Sequence, residues 1–292
     1  MFEGILPIYK ERGITSHDVV FRARRILQMK KIGHSGTLDP EVDGVLLLLL
    51  GGATKVSEYA MDLGKSYRAE VCLGIKTTTE DLTGEVVEEC NVSDISVDKI
   101  KEILKSMIGE IEQKPPIYSA IKVNGIRAYE YARKGIPVEL PLRQIHIKNI
   151  ELIAYGFPFF TIRVTCSGGT YIRSLLRDIC IALGIPGTMT SLARTQVGPF
   201  EISSAKIAEE LMLHGESLLL PTDTAVSHLS KVTVNSVQLR MMVQGKELPI
   251  EREFSFTEPD NFYRAYGPNG FIGIMKRTNH TLKVEKNIFI EG

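Results

Sequence analysis

Apolar residues recur at helical spacing over His17–Met29, where Val19, Val20, Ala23, Ile26 and Leu27 share one face. Ser16 is the expected N-cap and Gly33 closes the pattern. Arg22, Arg24 and Arg25 lie mostly off that stripe. Val97–Ile108 predicts a second amphipathic helix, with Ile100, Ile103, Leu104, Met107 and Ile108 in phase. Thr170–Leu183 predicts a third, with Ile172, Leu175, Leu176, Ile179, Cys180 and Leu183 inward and Gly184 as its stop. Ser204–Leu213 predicts a shorter one. The run Val45–Leu50, short, wholly apolar and closed by Gly51-Gly52, predicts a buried strand. Ser66–Gly74 and Gly84–Glu89 predict strands around a polar loop, Lys76–Thr83, and alternation predicts strands at Ile145–Ala154 and Phe159–Cys166. Strands and helices mix without regular βαβ alternation, which predicts an α+β fold.

Past Asp223 the texture changes. Val232–Asn235, Lys246–Ile250, Arg264–Tyr266, Gly270–Met275 and Leu282–Phe289 predict short strands separated by turns. The expected boundary is near Ser230, dividing residues 1–230 from a small β-rich module, 231–292.

At 292 residues with 43% hydrophobic and 24% charged side chains, the chain can bury a full core, which excludes a disordered tail or a disulfide scaffold. Its 35 Lys and Arg balance 35 Asp and Glu, so net charge points to no partner. The balance is uneven along the chain. Glu80–Glu112 holds ten acids and three bases, whereas Gln113–Lys148 holds seven bases and two acids. Basic stretches of that kind either follow a phosphate backbone or form a solvated face. Cysteines 72, 90, 166 and 180 have no metal-ligand or redox spacing, which suits a reducing compartment. The N-terminus lacks a signal peptide's pattern and no apolar run approaches a membrane span, so the expected location is cytoplasmic, with no membrane partner.

Three segments hold candidate chemistry. In Gly33–Gly44, Asp39 sits in a loop between a basic helix and a buried strand, a common setting for a catalytic group; Asp39-Pro40 also suits an ordinary turn. Glu41 and Asp43 read as exposed acids, and the spacing fits no calcium loop. In Cys166–Arg173, two glycines lead into a helix whose first turn carries Arg173. A cation is disfavoured there by about 0.3–1 kcal/mol, a penalty that an anionic partner removes. In Gln113–Lys134, cations alternate with Tyr118, Tyr129 and Tyr131, a mixture that suits looped RNA as well as packing at an edge. The six histidines are scattered, and there is no Walker loop or dinucleotide fingerprint.

Five motifs in order carry a family resemblance over nearly the whole chain. They are Gly33-His34-Ser35-Gly36-Thr37-Leu38-Asp39-Pro40, Lys65-Ser66-Tyr67-Arg68, Pro115–Gly125, Gly169-Thr170-Tyr171-Ile172-Arg173 and Leu192–Phe200. Together they resemble the TruB family, bacterial synthases that make pseudouridine in the T-loop of tRNA. The resemblance implies that Asp39 is the catalytic aspartate, that Tyr67 lies against the target base, and that Arg173 pairs with the catalytic carboxylate. It implies that His34 helps hold flipped-out nucleotides, that Tyr171 and Leu192 line the pocket, and that Lys10 lies near the site. It also implies a mixed, mostly antiparallel sheet flanked by helices, with a small PUA-like RNA-binding C-terminal domain. Isomerisation needs no cofactor and no metal. The short N-terminus and lack of basic tails imply a stand-alone enzyme with no guide RNA, expected as a monomer. The sequence departs from the family at Tyr9-Lys10-Glu11, at Glu41-Val42-Asp43, and at Thr78, where relatives often carry an acid; Asp81 lies close by.

Overall fold

The computed structural model describes residues 2–250, 254 and 261–288. It is a mixed α/β chain whose main-sheet strands pair mostly antiparallel. Two compact units form. One comprises Met1–Pro40, Gly44–Leu63 and Val197–Gly292; the other comprises Glu41–Asp43 and Gly64–Gln196.

In the first unit, the strand Gly4–Lys10 runs antiparallel to Asp43–Leu50, pairing Lys10 with Gly44 and Gly4 with Leu50. A short strand, Ile32–His34, pairs with the far end of the same partner. Residues Val45 to Leu50 are all buried, and alternate positions feed two different cores. Leu46, Leu48 and Leu50 meet Val19, Val20 and Ala23 of the first helix, whereas Val45, Leu47 and Leu49 meet Ala53, Val56 and Ala60. A strand apolar on both faces is what such burial requires.

The first helix spans Ser16–Ile26, and its cap is Thr15 rather than Ser16. Thr15 Oγ1 accepts from the Asp18 amide at 3.1 Å, and Asp18 returns the bond to the Thr15 amide at 2.8 Å. This is a reciprocal capping box. Ser16 is displaced inward to a different task, described below.

The C-terminal strands form a five-stranded sheet: Ser230–Thr233, Phe262–Gly267, Gly270–Arg277, Thr281–Asn287 and Leu248–Pro249, in that spatial order. Sequence alternation found all five regions, but not the helix Ser236–Val243, capped by Asn235. Phe289, at the end of one expected strand, lies outside the described residues, as do positions 251–253, 255–260 and 290–292 of the expected C-terminal domain. Ile274 and Ile288 of this region share a core with Ile5, Val45 and Ala60.

In the second unit, Gly109–Gln113, Arg143–Gly156, Phe159–Cys166 and Lys65–Leu73 lie side by side, each antiparallel to the next, and Gly187–Val197 follows. Two helices, Val97–Ser106 and Ile172–Leu183, complete the unit's framework. The second ends at Gly184, whose φ of 76° supplies the left-handed stop read from the sequence. Gly109–Gln113 and Gly187–Val197 were not predicted as strands. The first alternates too briefly, and the second carries polar residues at several positions that are half-buried. The region read as a loop, Lys76–Thr83, begins inside a strand, Ile75–Thr77, that pairs with Val86–Glu89.

Cys166 and Cys180 are buried, and burial pushes their thiols from 9.0 to about 11 and about 12, respectively. An unfolded thiol ionises first as pH climbs past 9, so this contribution to stability is complete below pH 9 and is lost as pH rises towards the folded values. Cys180→Ala should flatten the fall in unfolding free energy between pH 9 and 11, measured by guanidinium denaturation at several pH values. An unchanged slope would show that this thiol does not contribute.

Candidate functional site

The loop carrying Asp39 is tied on both sides of the acid. Before it, Ser16 Oγ accepts from the Leu38 amide at 2.8 Å and lies 3.1 Å from the Leu38 carbonyl, so one hydroxyl serves both backbone groups. After it, the Pro40 carbonyl accepts from the Gly13 amide at 2.9 Å and from Lys10 Nζ at 3.1 Å. Lys10 is fully buried, and its ammonium also donates to the carbonyls of Ile14 at 2.7 Å and Glu11 at 2.9 Å. A buried ammonium needs such acceptors, and its three protons find three carbonyls. Asp39 is half-buried. Ser16 and Lys10, side chains from outside the loop, thus hold its backbone on both sides of the acid. Upstream, His34 Nδ1 accepts from the Gly36 amide at 3.3 Å, and the Ser35 amide donates to Leu47 at 3.0 Å.

The second unit gathers Arg173, Tyr171 and a turn at residues 77–83. Gln113, buried at the end of its strand, donates from Nε2 to the Tyr171 carbonyl at 3.0 Å and accepts from the Tyr171 amide at 2.8 Å through Oε1. Tyr171 is the N-cap of the helix Ile172–Leu183, so this amide pair fixes where the helix begins. Arg173, only 6% exposed, then donates to the carbonyls of Thr79 at 3.0 Å and Tyr118 at 2.9 Å. Its guanidinium lies 3.7 Å from the Asp81 carboxylate. Asp81 is thus one anion beside the guanidinium of the first helical turn, where negative charge offsets the backbone dipole. One turn later, Arg177 donates to Glu80 at 2.7 Å. Asp81 in turn accepts from Thr79 Oγ1 at 2.6 Å and from the Thr83 amide at 3.0 Å.

Tyr67 is buried in Lys65–Leu73, opposite Val164. Its side chain is hydrogen-bonded to Arg194, on the neighbouring strand Gly187–Val197. Leu192 is buried two residues from Arg194, on the same face of that strand. The basic segment folds into a small ribbon, Lys122–Val123 with Ile126–Arg127, and a helix, Ala128–Arg133. There the Tyr129 ring lies under two guanidinium groups, Arg127 at 5.9 Å and Arg133 at 5.5 Å from its centroid.

Comparison with known proteins decides the family. The model of the TruB family pseudouridylate synthase N-terminal domain matches residues 24–172, a span that includes His34, Asp39, Tyr67 and Tyr171. The chain belongs to the TruB family. It is 44% identical to tRNA pseudouridine synthase B of Staphylococcus haemolyticus over 88% of each chain. It is 43% identical to the protein of that name from Bacillus pumilus, over 92% of this chain and 91% of the other. Among solved structures, a chain of a Cbf5–Nop10–Gar1 complex superposes with a TM-score of 0.78 at 27% identity, covering 98% of this chain and 85% of that one.

In this TruB-family chain, each unit brings part of the expected set together. Lys10 lies against the backbone of the Asp39 loop, and Tyr171 and Arg173 begin one helix. Tyr67 and Leu192 occupy adjacent strands. Sequence reasoning gave no role to Ser16 beyond capping, to Gln113, or to Arg194. Their common sign is a polar side chain that is itself buried, which the sequence pattern alone does not show. Among the described residues, no three His, Cys, Asp or Glu side chains form a metal-binding cluster.

Because Asp81 holds both a buried guanidinium and its own turn, Asp81→Ala should destabilise the fold by about 2–4 kcal/mol. Asp81→Asn, which keeps the turn's acceptor, should destabilise it less. Urea denaturation of both variants checks this ordering, and equal losses would show that the turn's hydrogen bonds do not matter.

Proposed function

We propose that this protein isomerises uridine to pseudouridine in the T-loop of tRNA, with Asp39 as the catalytic carboxylate. The observation that carries the reading is the identity, 43–44% over about nine-tenths of the chain, to relatives named tRNA pseudouridine synthase B. The clamped acid loop supports it, because a carboxylate that must meet a ribose carbon needs a fixed backbone. Cytoplasmic tRNA is the substrate in this reading. Residues 1–230 form the catalytic part and residues 231–292 a PUA-like RNA-binding part. The enzyme works as a monomer, without guide RNA, cofactor or metal.

The chemistry explains the residue types. The N1–C1′ bond breaks, the uracil turns, and C5 bonds to C1′; the C5 proton leaves and N1 regains one, so atoms balance without a co-reactant. An ionised carboxylate serves as nucleophile or as stabiliser of positive charge on the sugar. In this reading Arg173 is the arginine that the family resemblance pairs with the catalytic carboxylate, and Tyr67 lies against the base and moves a proton. Leu192 and Tyr171 line the pocket that retains the detached uracil and excludes water. His34 helps hold the extruded nucleotides, whose unstacking costs a few kcal/mol, and Lys10 holds the acid loop. Phosphate contacts from the basic ribbon offset part of that unstacking.

Two experiments test this reading. Asp39→Asn should bind tRNA with near-normal affinity and form no pseudouridine, read by mapping the modified position in tRNA treated with the purified chain alone. Modification by that variant would remove Asp39 from its role. Failure of the unsubstituted chain without guide RNA would remove the stand-alone claim. The C-terminal sheet shares a core with Ile5 and Val45, so its RNA role is better tested on the surface than by truncation. Replacing the exposed Lys231 and Lys246 with Ala should weaken tRNA binding and lower the salt slope by roughly one to two units. An unchanged slope would leave that sheet a structural role.

A further inference from the structure

Arg194 is 1% exposed and ranks among the largest fully buried side chains in the molecule. Its guanidinium is hydrogen-bonded to the Tyr67 side chain, and the two residues sit on neighbouring strands of one sheet. Holding a tyrosine in a core does not require a cation, because a backbone carbonyl or a neutral side chain satisfies the hydroxyl. A guanidinium does something that neutral partners cannot. It has donors only, so the phenol oxygen must accept from it. The phenol's single O–H is then directed away from Arg194. Burial pulls the Arg194 pKa down and the Tyr67 contact opposes this, but the group's ordinary value is so high that it remains charged at neutral pH. Beside a phenol a fixed positive charge favours the phenolate relative to a neutral partner at the same depth, working against the burial that disfavours it.

We propose that Arg194 is a positioning residue that acts through Tyr67, fixing the phenol's orientation so that its single O–H is directed away from the guanidinium and toward proton transfer during the reaction. This inference rests on the role given to Tyr67 above. Leu192, two residues earlier on the same face, gives this strand both an apolar contribution and a charged one.

The test is a double-substitution cycle on the full chain, using Tyr67→Phe, Arg194→Met, Arg194→Lys and the pair Tyr67→Phe with Arg194→Met. Single-turnover pseudouridine formation and tRNA affinity are measured across pH. Arg194→Met should slow conversion about 10- to 100-fold with affinity changed less than about twofold, and Arg194→Lys should recover part of the rate. In the Tyr67→Phe background, Arg194→Met should add less than about a twofold loss. The alkaline limb of the rate profile should move up by about one pH unit in Arg194→Met and vanish in Tyr67→Phe. Losses that multiply in the double variant, an unmoved limb, or a fall in affinity equal to the fall in rate would overturn the inference. If circular dichroism shows Arg194→Met unfolded, the same cycle is read with Arg194→Lys. A Tyr67→Phe enzyme at full speed would remove the role of Tyr67 and this inference with it. A slow Tyr67→Phe with multiplicative Arg194 losses would remove the inference alone.

Discussion

A guanidinium in the first turn of a helix faces the positive end of the backbone dipole, and Arg173 occupies that position while almost wholly buried. Such a group persists only if it meets negative charge and enough acceptors. The structure supplies Asp81 and the carbonyls of Thr79 and Tyr118. That requirement propagates outward. The turn at residues 77–83 must hold its own carboxylate still, which it does with the hydroxyls of Thr79 and Thr83. Arg177 repeats the arrangement one turn on, against Glu80. The Thr-rich, acidic stretch and the arginine-bearing helix are therefore two halves of one electrostatic arrangement.

The acid loop is built on a different principle. Its flanking backbone groups are satisfied by Ser16 and Lys10, side chains from elsewhere in the fold. Loops are mobile when their backbone bonds go to water. Here the bonds go to a helix start and a buried strand end, so the segment on either side of Asp39 inherits the rigidity of regular structure. Gln113 does the same for Tyr171 with a single amide. In each unit a buried polar side chain, rather than an apolar contact, fixes the backbone beside a candidate functional residue.

Much of this was legible in the sequence, and the reasons divide cleanly. Wherever a segment is apolar at one period, as in Val45–Leu50 or Ile172–Leu183, burial alone determines the element. Motif order singles out Asp39, Tyr67 and Arg173 as candidates. The anion at the start of the arginine helix was foreseeable from the dipole, yet its source was not, because Asp81 is 92 positions away along the chain. Ser16 is the cap that propensity favours, since Ser caps slightly better than Thr, yet the adjacent Thr15 takes the position. Only three-dimensional register shows that Thr15 faces the helix end while Ser16 faces Leu38. Gly187–Val197 escaped prediction for a related reason. Its polar residues are half-buried or, like Arg194, buried, and a hydrophobicity pattern counts them against a strand.

That last failure bears on how polar interiors should be read. Arg194, Gln113 and Lys10 are each 1% exposed or less, and replacing any of them by an apolar residue would make the sequence a better match to the pattern of its own fold. Two of the three hold backbone that flanks a candidate functional residue, and the third holds a candidate side chain directly. Buried polar groups carry a desolvation penalty that an apolar core avoids. At these three positions the penalty is met beside a candidate functional residue, so stability is given up for the placement of that residue. At Lys10, Gln113 and Arg194 the failure of the hydrophobic pattern and the motifs thus point to the same candidate residues by independent routes.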